Sequence, residues 1–129
     1  MLKPGIITSQ SKTVTAGSCA DAVGSGSVHV FATPAMVALM ESCCATSVQP
    51  YLEQGQTTVG VRIDINHSAP TPEGMTVECR STLVSVSGRT LSFRVEVYDA
   101  SGMIGEGTHD RCIVDQRRFQ TRADDKHKV

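Results

Sequence analysis

"MVALMESCCATSV", Met36 to Val48, is the stretch that decides the fold of this 129-residue chain. Apart from Glu41 it carries no charge. A helix hydrophobic on most of its sides cannot sit at a surface and must be covered by other structure. Its start is well signalled, since Thr33 suits the N-cap and Pro34 the first helical position. The helix is predicted to end near Leu52, with Gly55 beyond its last turn.

After the helix the period of the sequence changes. In "TTVGVRIDINH", Thr57 to His67, the residues Val59, Val61, Ile63 and Ile65 share one face of an alternating strand, and His67 continues their parity. Two prolines and a glycine in "SAPTPEG" stop that strand. Three more strands are predicted, Met75 to Val86, Thr90 to Tyr98 and Met103 to Val114. The short glycine-bearing connections "SVSGR" and "YDASGM" join them as hairpins require. Upstream, "KTVTAG" reads as a short strand and "GSGS" at 24–27 as a loop. The fold class is α+β, one long helix wrapped by an antiparallel sheet. It forms one domain over residues 1–118, followed by a charged, solvated tail over 119–129.

Composition narrows the function. Acidic and basic residues number 13 and 12, for a formal net charge of -1. No basic stripe with interleaved aromatics occurs, so nucleic acid is not expected as a partner. No run of 18 apolar residues is present, so no membrane span is expected, and "MLKPGIITSQ" lacks the pattern of a signal peptide. The five cysteines, Cys19, Cys43, Cys44, Cys79 and Cys112, form an odd set without a C-x-x-C pair. That argues against a disulfide framework and a zinc site, and no metal is expected. A reducing cytoplasm is the expected location. The "GSGS" loop opens no phosphate-binding motif and no G-x-S-x-G elbow is present, which excludes serine-hydrolase chemistry.

Three residues stand out for chemistry. A carboxylate inside an apolar helix must find a partner or take up a proton, which singles out Glu41. His67 should leave its strand on the side where the helix packs, so the two could meet, and a carboxylate orients an imidazole and favours its protonated form. Plainer roles exist for both. Glu41 could lie on a polar stripe with Ser42 and Thr46, and His67 could bond backbone at the strand end. Thr33 is by default an N-cap. The first helical turn also presents unpaired N–H groups and a positive dipole end, which suit the oxyanion of acyl transfer.

Spacing imposes a condition on this set. Thr33 and Glu41 are eight residues apart, about 12 Å along a helix. Either Thr33 lies in a loop that doubles back, or a two-fold dimer brings Thr33 of one chain to Glu41 of another. Arg89, His109 and Arg111 could meet phosphates, or could be solvated strand positions.

Five segments in order, "VFATPAMVALMESCC", "VQPYLEQGQTTVG", "INHSAPTPEGM", "VSGRTLSFRVEVYD" and "IGEGTHDR", resemble the hotdog-fold thioesterases related to fluoroacetyl-CoA thioesterase. The resemblance runs over roughly residues 5 to 119. It implies a hotdog fold, a homodimer that could pair further, and an acyl-CoA substrate whose CoA makes a separate cofactor unnecessary. It also implies a catalytic set of Thr33, Glu41 and His67. Gly60 matches a position whose backbone lines the acyl site, and Arg111 a position near the ligand. Before the helix, "AVGSGSVHVF" offers no bulky aromatic lid of the kind that would exclude water from a small fluorinated acyl group. A broader or different acyl group, small or medium in size, is therefore expected. The competing readings are a non-catalytic acyl-CoA sensor, which needs no acid–base pair, and a hotdog hydratase or dehydratase. The Asp-then-His pair associated with the latter is missing from the sequence.

Overall fold

The computed structural model describes residues 1–128. The chain runs β1 (Ile7–Thr13), α1 (Ala20–Val23), α2 (Thr33–Val48), β2 (Gln56–His67), β3 (Thr76–Ser87), β4 (Thr90–Asp99), β5 (Gly102–Asp115) and α3 (Gln116–Asp124). The five strands form one antiparallel sheet in the order β1-β3-β4-β5-β2. Helix α2 lies along one side of it. Pro50 lacks the N–H that a further α-helical turn needs, and the chain tightens there into a 3₁₀ turn over Gln49–Tyr51.

The buried residues of α2, Met36, Leu39, Met40, Cys43, Cys44, Ser47 and Val48, recur at helical spacing and form one face. They pack against Val77, Cys79 and Leu83 of β3, Leu91, Phe93, Val95 and Val97 of β4, and Ile104 of β5. The opposite face, at Ala38, Ser42 and Thr46, stays exposed. The sheet thus wraps the buried face of the helix, as expected, and leaves its opposite face open. The hairpins turn at Gly88 (φ 60°) and Gly102 (φ 137°), where a residue without Cβ takes the left-handed backbone cheaply.

Strand β2 departs from the expected alternation. Gly60 pairs with Arg111 and Arg62 with Asp110, leaving Val61 unpaired in a β-bulge. Directly paired residues share a face. The inward residues Ile113, Arg111 and His109 of β5 therefore mark Thr58, Gly60 and then Ile63 as the inward set of β2. Parity changes at the bulge, as such an extra residue requires. Val59 and Val61 consequently lie off the core face, correcting the reading that placed them on it. Ile65 and His67 remain where they were expected. Val61 is 59% and Ile63 38% exposed, because β2 is an edge strand.

Two further differences arise at the ends. "KTVTAG" contributes only its first two residues to β1, which begins earlier, at Ile7. The charged tail is helical over Gln116–Asp124, nucleated where the Asp115 carboxylate accepts the Arg118 N–H at 2.9 Å, a cap that satisfies one of the free donors of a first turn.

Strands β2 and β5 approach so closely at Gly107 that an added Cβ would run into the Asp64 carbonyl oxygen and Ile65. Backbone cannot yield as a side-chain tip does. Gly107→Ala is expected to cost about 3 kcal/mol, the upper end for overpacking, read as a lower midpoint of urea unfolding. An unchanged midpoint would contradict this strand spacing.

Candidate active site

Thr33 is the first residue of α2, and the N-cap is Ala32, which has no side chain able to cap. This corrects the capping role expected of Thr33. Its hydroxyl is turned to the strand instead, with Oγ1 2.8 Å from Nδ1 of His67. His67 stands at the end of β2, its ring met edge-on by Phe31 at 6.4 Å between centroids. Nε2 of His67 is buried and has no hydrogen-bond partner among the described residues. A buried N–H without an acceptor is rarer than a bare acceptor. The ring is therefore best assigned as Nδ1–H donating to Thr33, with the Nε2 lone pair free. Burial disfavours the charged ring and lowers the His67 pKa, so the neutral imidazole persists at pH 7.

A cavity of about 270 Å³ opens at this pair, lined among others by Ser25, Val30, Phe31, Thr33, His67 and Pro70. Its outer wall is the segment from α1 to Phe31. His29 ties that wall down, with Nδ1 2.9 Å from Asp21 and Nε2 2.7 Å from Glu73. The hydrogen bonds to Glu73 and Asp21 raise the His29 pKa, favouring the ring with both nitrogens protonated. The Cys19 thiol lies near enough that ligand atoms of Cys19, Asp21 and His29 fall within 4.8 Å of one another. Sequence spacing could not reveal this grouping. The wall presents no Phe, Tyr or Trp side chain between Ala20 and Val30.

Glu41 occupies a second position. Its Oε2 is 3.6 Å from Nη1 of Arg111, with side chains 44% and 8% exposed respectively. Glu41 is therefore half-buried, and the partner the sequence led one to expect, His67, is replaced in this chain by Arg111. The Arg111 guanidinium is held by Thr58 Oγ1 at 2.8 Å, the Thr58 carbonyl at 2.9 Å and Nε2 of His109 at 3.1 Å. His109 in turn donates from Nδ1 to the Arg62 carbonyl, 2.7 Å away. Burial, and then the Arg111 charge, lower the His109 pKa against the opposing Arg62 hydrogen bond. His109 is thus a neutral acceptor for Arg111. Both residues are buried, Arg111 facing the Glu41 carboxylate and His109 facing Arg111, so neither is a solvated strand position. Thr58, which anchors the guanidinium, was missed by sequence reading. Only its pairing beside Gly60 and Arg111 across β2 and β5 marks it.

Gly60 completes this second site. A Cβ built there would stand 2.5 Å from Glu41 Oε2 and 3.2 Å from His109 Cε1. The site opens as a cavity of about 220 Å³ between Glu41, Gly60 and the bulged segment Val61–Ile63. Gly60→Ala should displace the carboxylate while leaving the fold intact. A shift of about 1 Å can cost about 10²-fold in rate, so a loss of that size with an unchanged melting temperature is expected. Arg89 lies apart from both groups, exposed in the β3–β4 turn.

The two groups are thus separate within one chain. Thr33 and Glu41 both lie in the regular helix α2, which removes the possibility of a loop that doubles back between them.

Comparison with known proteins follows the same lines. Residues 14–117 match the family described as fluoroacetyl-CoA-specific thioesterase. The fluoroacetyl-CoA thioesterase of Streptantibioticus cattleyicolor is 43% identical over 98 residues, 76% of this chain and 70% of that protein. A solved structure of the fluoroacetyl-CoA thioesterase FlK superposes with a TM-score of 0.92 at 33% identity, covering 98% of both chains. A thioesterase superfamily member from Thermus thermophilus gives 0.91 at 25% identity, covering 99% of this chain and 95% of that one.

Proposed function

The chain belongs to the fluoroacetyl-CoA-specific thioesterase family and is a hotdog-fold acyl-CoA thioesterase; from that premise we propose that Thr33, Glu41 and His67 carry the hydrolysis at a site shared by two protomers. The observation that carries this reading is the Thr33–His67 hydrogen bond, which takes a helix-start hydroxyl away from capping and leaves Nε2 unpartnered beside a cavity.

In this mechanism the Glu41 carboxylate takes a proton from water, and the hydroxide adds to the thioester carbonyl. The Thr33 hydroxyl accepts from His67 and so has its own proton free for the carbonyl oxygen, where negative charge develops. His67 fixes that hydroxyl and offers Nε2 to the water. Collapse breaks the C–S bond, the proton passes to sulfur, and a carboxylic acid and the CoA thiol leave. No metal or further cofactor enters this chemistry, and CoA is part of the substrate.

A homodimer supplies what one chain lacks, Glu41 beside Thr33 and His67. The exposed Val61 and Ile63 on the edge strand and the uncovered face of α2 support such a contact, since an open edge strand is a template for pairing. Dimers that pair further are compatible with this arrangement. Among the described residues no helix is long and apolar enough to cross a membrane, and the five unpaired thiols favour a cytoplasmic location. The wall over the Thr33 cavity lacks a bulky lid, so the acyl group is small or medium and not restricted to fluoroacetyl.

The test is thiol release from a panel of acyl-CoAs, short, long, branched and aryl, with Glu41→Ala as the control. Turnover that disappears in the variant supports the assignment. Tight binding without turnover would favour a sensor.

A further inference from the structure

The wall over the Thr33–His67 cavity carries a group of side chains that the mechanism above does not use. Backbone draws the two ends of this segment together. The Ala20 N–H donates to the Val30 carbonyl at 2.8 Å, and Cys19 and Phe31 form an isolated antiparallel bridge. Residues 19–31 therefore make a closed loop, with two glycines and two serines at 24–27.

Three unlike donors meet at the base of this loop. Cys19 Sγ, a carboxylate oxygen of Asp21 and a ring nitrogen of His29 all lie within 4.8 Å of one another. Thiolate sulfur, imidazole nitrogen and carboxylate oxygen together are a zinc donor set, whereas calcium and magnesium take oxygen. The spacing is close to what that ion needs. With bonds of about 2.0–2.3 Å, donors on a tetrahedral zinc stand about 3.3–3.6 Å apart. His29 Nδ1 is 2.9 Å from each Asp21 carboxylate oxygen, and shifts of about 1 Å bring the set to zinc geometry. The loop glycines allow such shifts.

The histidine is also oriented as a ligand would be. Its Nε2 lies 2.7 Å from Glu73, 44 residues away in the chain. A metal-bound imidazole usually gives its other N–H to a carboxylate in this way, which leaves Nδ1 for the ion. Cys19 is buried, and its Sγ has only a 3.4 Å contact to the Thr15 carbonyl to give up. Asp21 and His29 are exposed, so an ion here meets sulfur on its inner side and water on its outer side.

We propose that Cys19, Asp21 and His29 bind zinc, with Glu73 fixing His29 from behind and water as the fourth ligand. Binding sends the thiol proton and the Nδ1 proton to solvent. The ion takes no part in the hydrolysis. It locks the loop, whose residues Ala20, Ser25 and Val30 line the cavity beside His67. The cysteine spacing speaks against a site built from thiol pairs, but a single thiol among other donors escapes that argument.

The experiment titrates the metal-free protein with zinc by calorimetry, and with cobalt, whose thiolate charge-transfer band reports sulfur ligation. One zinc per chain is expected, with a Kd of about 1 µM or tighter. Cys19→Ser removes the cobalt thiolate band. His29→Ala and Asp21→Ala weaken zinc binding by about 100-fold or more, and Glu73→Gln by about 10–100-fold. Cys112→Ser, at the one thiol that is only partly buried, changes nothing. Because Asp21 and His29 are exposed, their variants keep the fold and decide the matter should Cys19→Ser unfold. Saturating zinc also slows subtilisin cleavage between Asp21 and His29 by about tenfold or more in the wild type, and not in His29→Ala. No zinc binding by the wild-type protein would leave only an ion pair between His29 and Asp21 and overturn the assignment. So would binding that survives in both exposed variants, or a cobalt spectrum without the thiolate band.

Discussion

Glu41→Ala lowers kcat/KM for the preferred acyl-CoA by about 10²–10⁴, the range for loss of a general base. The structure separates this effect from damage to the fold. Glu41 is half-exposed, while its partner Arg111 is buried and kept by Thr58 and His109 through three other contacts. Truncating the carboxylate therefore leaves the guanidinium supported, and a near-normal melting temperature is expected. Glu41→Gln sharpens the test, since an amide can still face Arg111 through its oxygen but cannot take a proton from water. It should lose as much activity as alanine. Rates within a few-fold of wild type in either variant would remove Glu41 from the mechanism.

His67→Ala is expected to lower kcat by about 10²–10³, the cost of losing one oxyanion donor, because Thr33 then has nothing to fix its hydroxyl. The two roles given to the ring can be told apart. Asparagine places an amide where Nδ1 stood, so His67→Asn should recover part of the loss if holding Thr33 is the larger contribution. It should match alanine if the free Nε2 matters more. The pH dependence carries a sign. Burial lowers the His67 pKa below its ordinary value of 6.5, so more acid is needed to charge it. Activity that requires the neutral ring persists down to pH 6.5 and falls below it, and this acid limb changes in His67→Asn. A limb above 6.5 would contradict the buried, neutral ring.

Much of the fold was legible because its signals are local. Gly88 and Gly102 mark both hairpins, and β3, β4 and β5 form within about a residue of the predicted bounds, as hydrophobic period 2 and turn glycines are properties of short windows. The charged tail hid a helix because α3 buries no residue and so shows no apolar face for a sequence reader to follow. It is held by a cap at Asp115 and by its place beside β5. At the site, the residue types were legible but not their partners. Glu41 and His67 were paired on the argument that a buried carboxylate needs a neighbour, yet the helix and the bulged strand set Arg111 there instead. That pairing depends on Thr58 and Gly60 facing inward across β5, and nothing within a single strand's pattern announces it.

The bulge at Val61 has a consequence for how this protein can change over generations. It divides β2 into two reading frames, with even positions facing the helix up to Gly60 and odd positions from Ile63 to His67. Loss of the Val61 codon would straighten the strand and merge the two frames, with Gly60 still opposite Arg111 and His67 still opposite Gly105 on the inner face. Loss of a codon between Ile63 and His67, with the bulge kept, would leave Thr33, Glu41 and His67 intact in the gene. It would yet turn His67 to the outer face, because one residue of slip exchanges the two sides of a strand. Substitutions can accumulate along β2, but outside the bulge the number of its residues is as much a part of the site as any side chain.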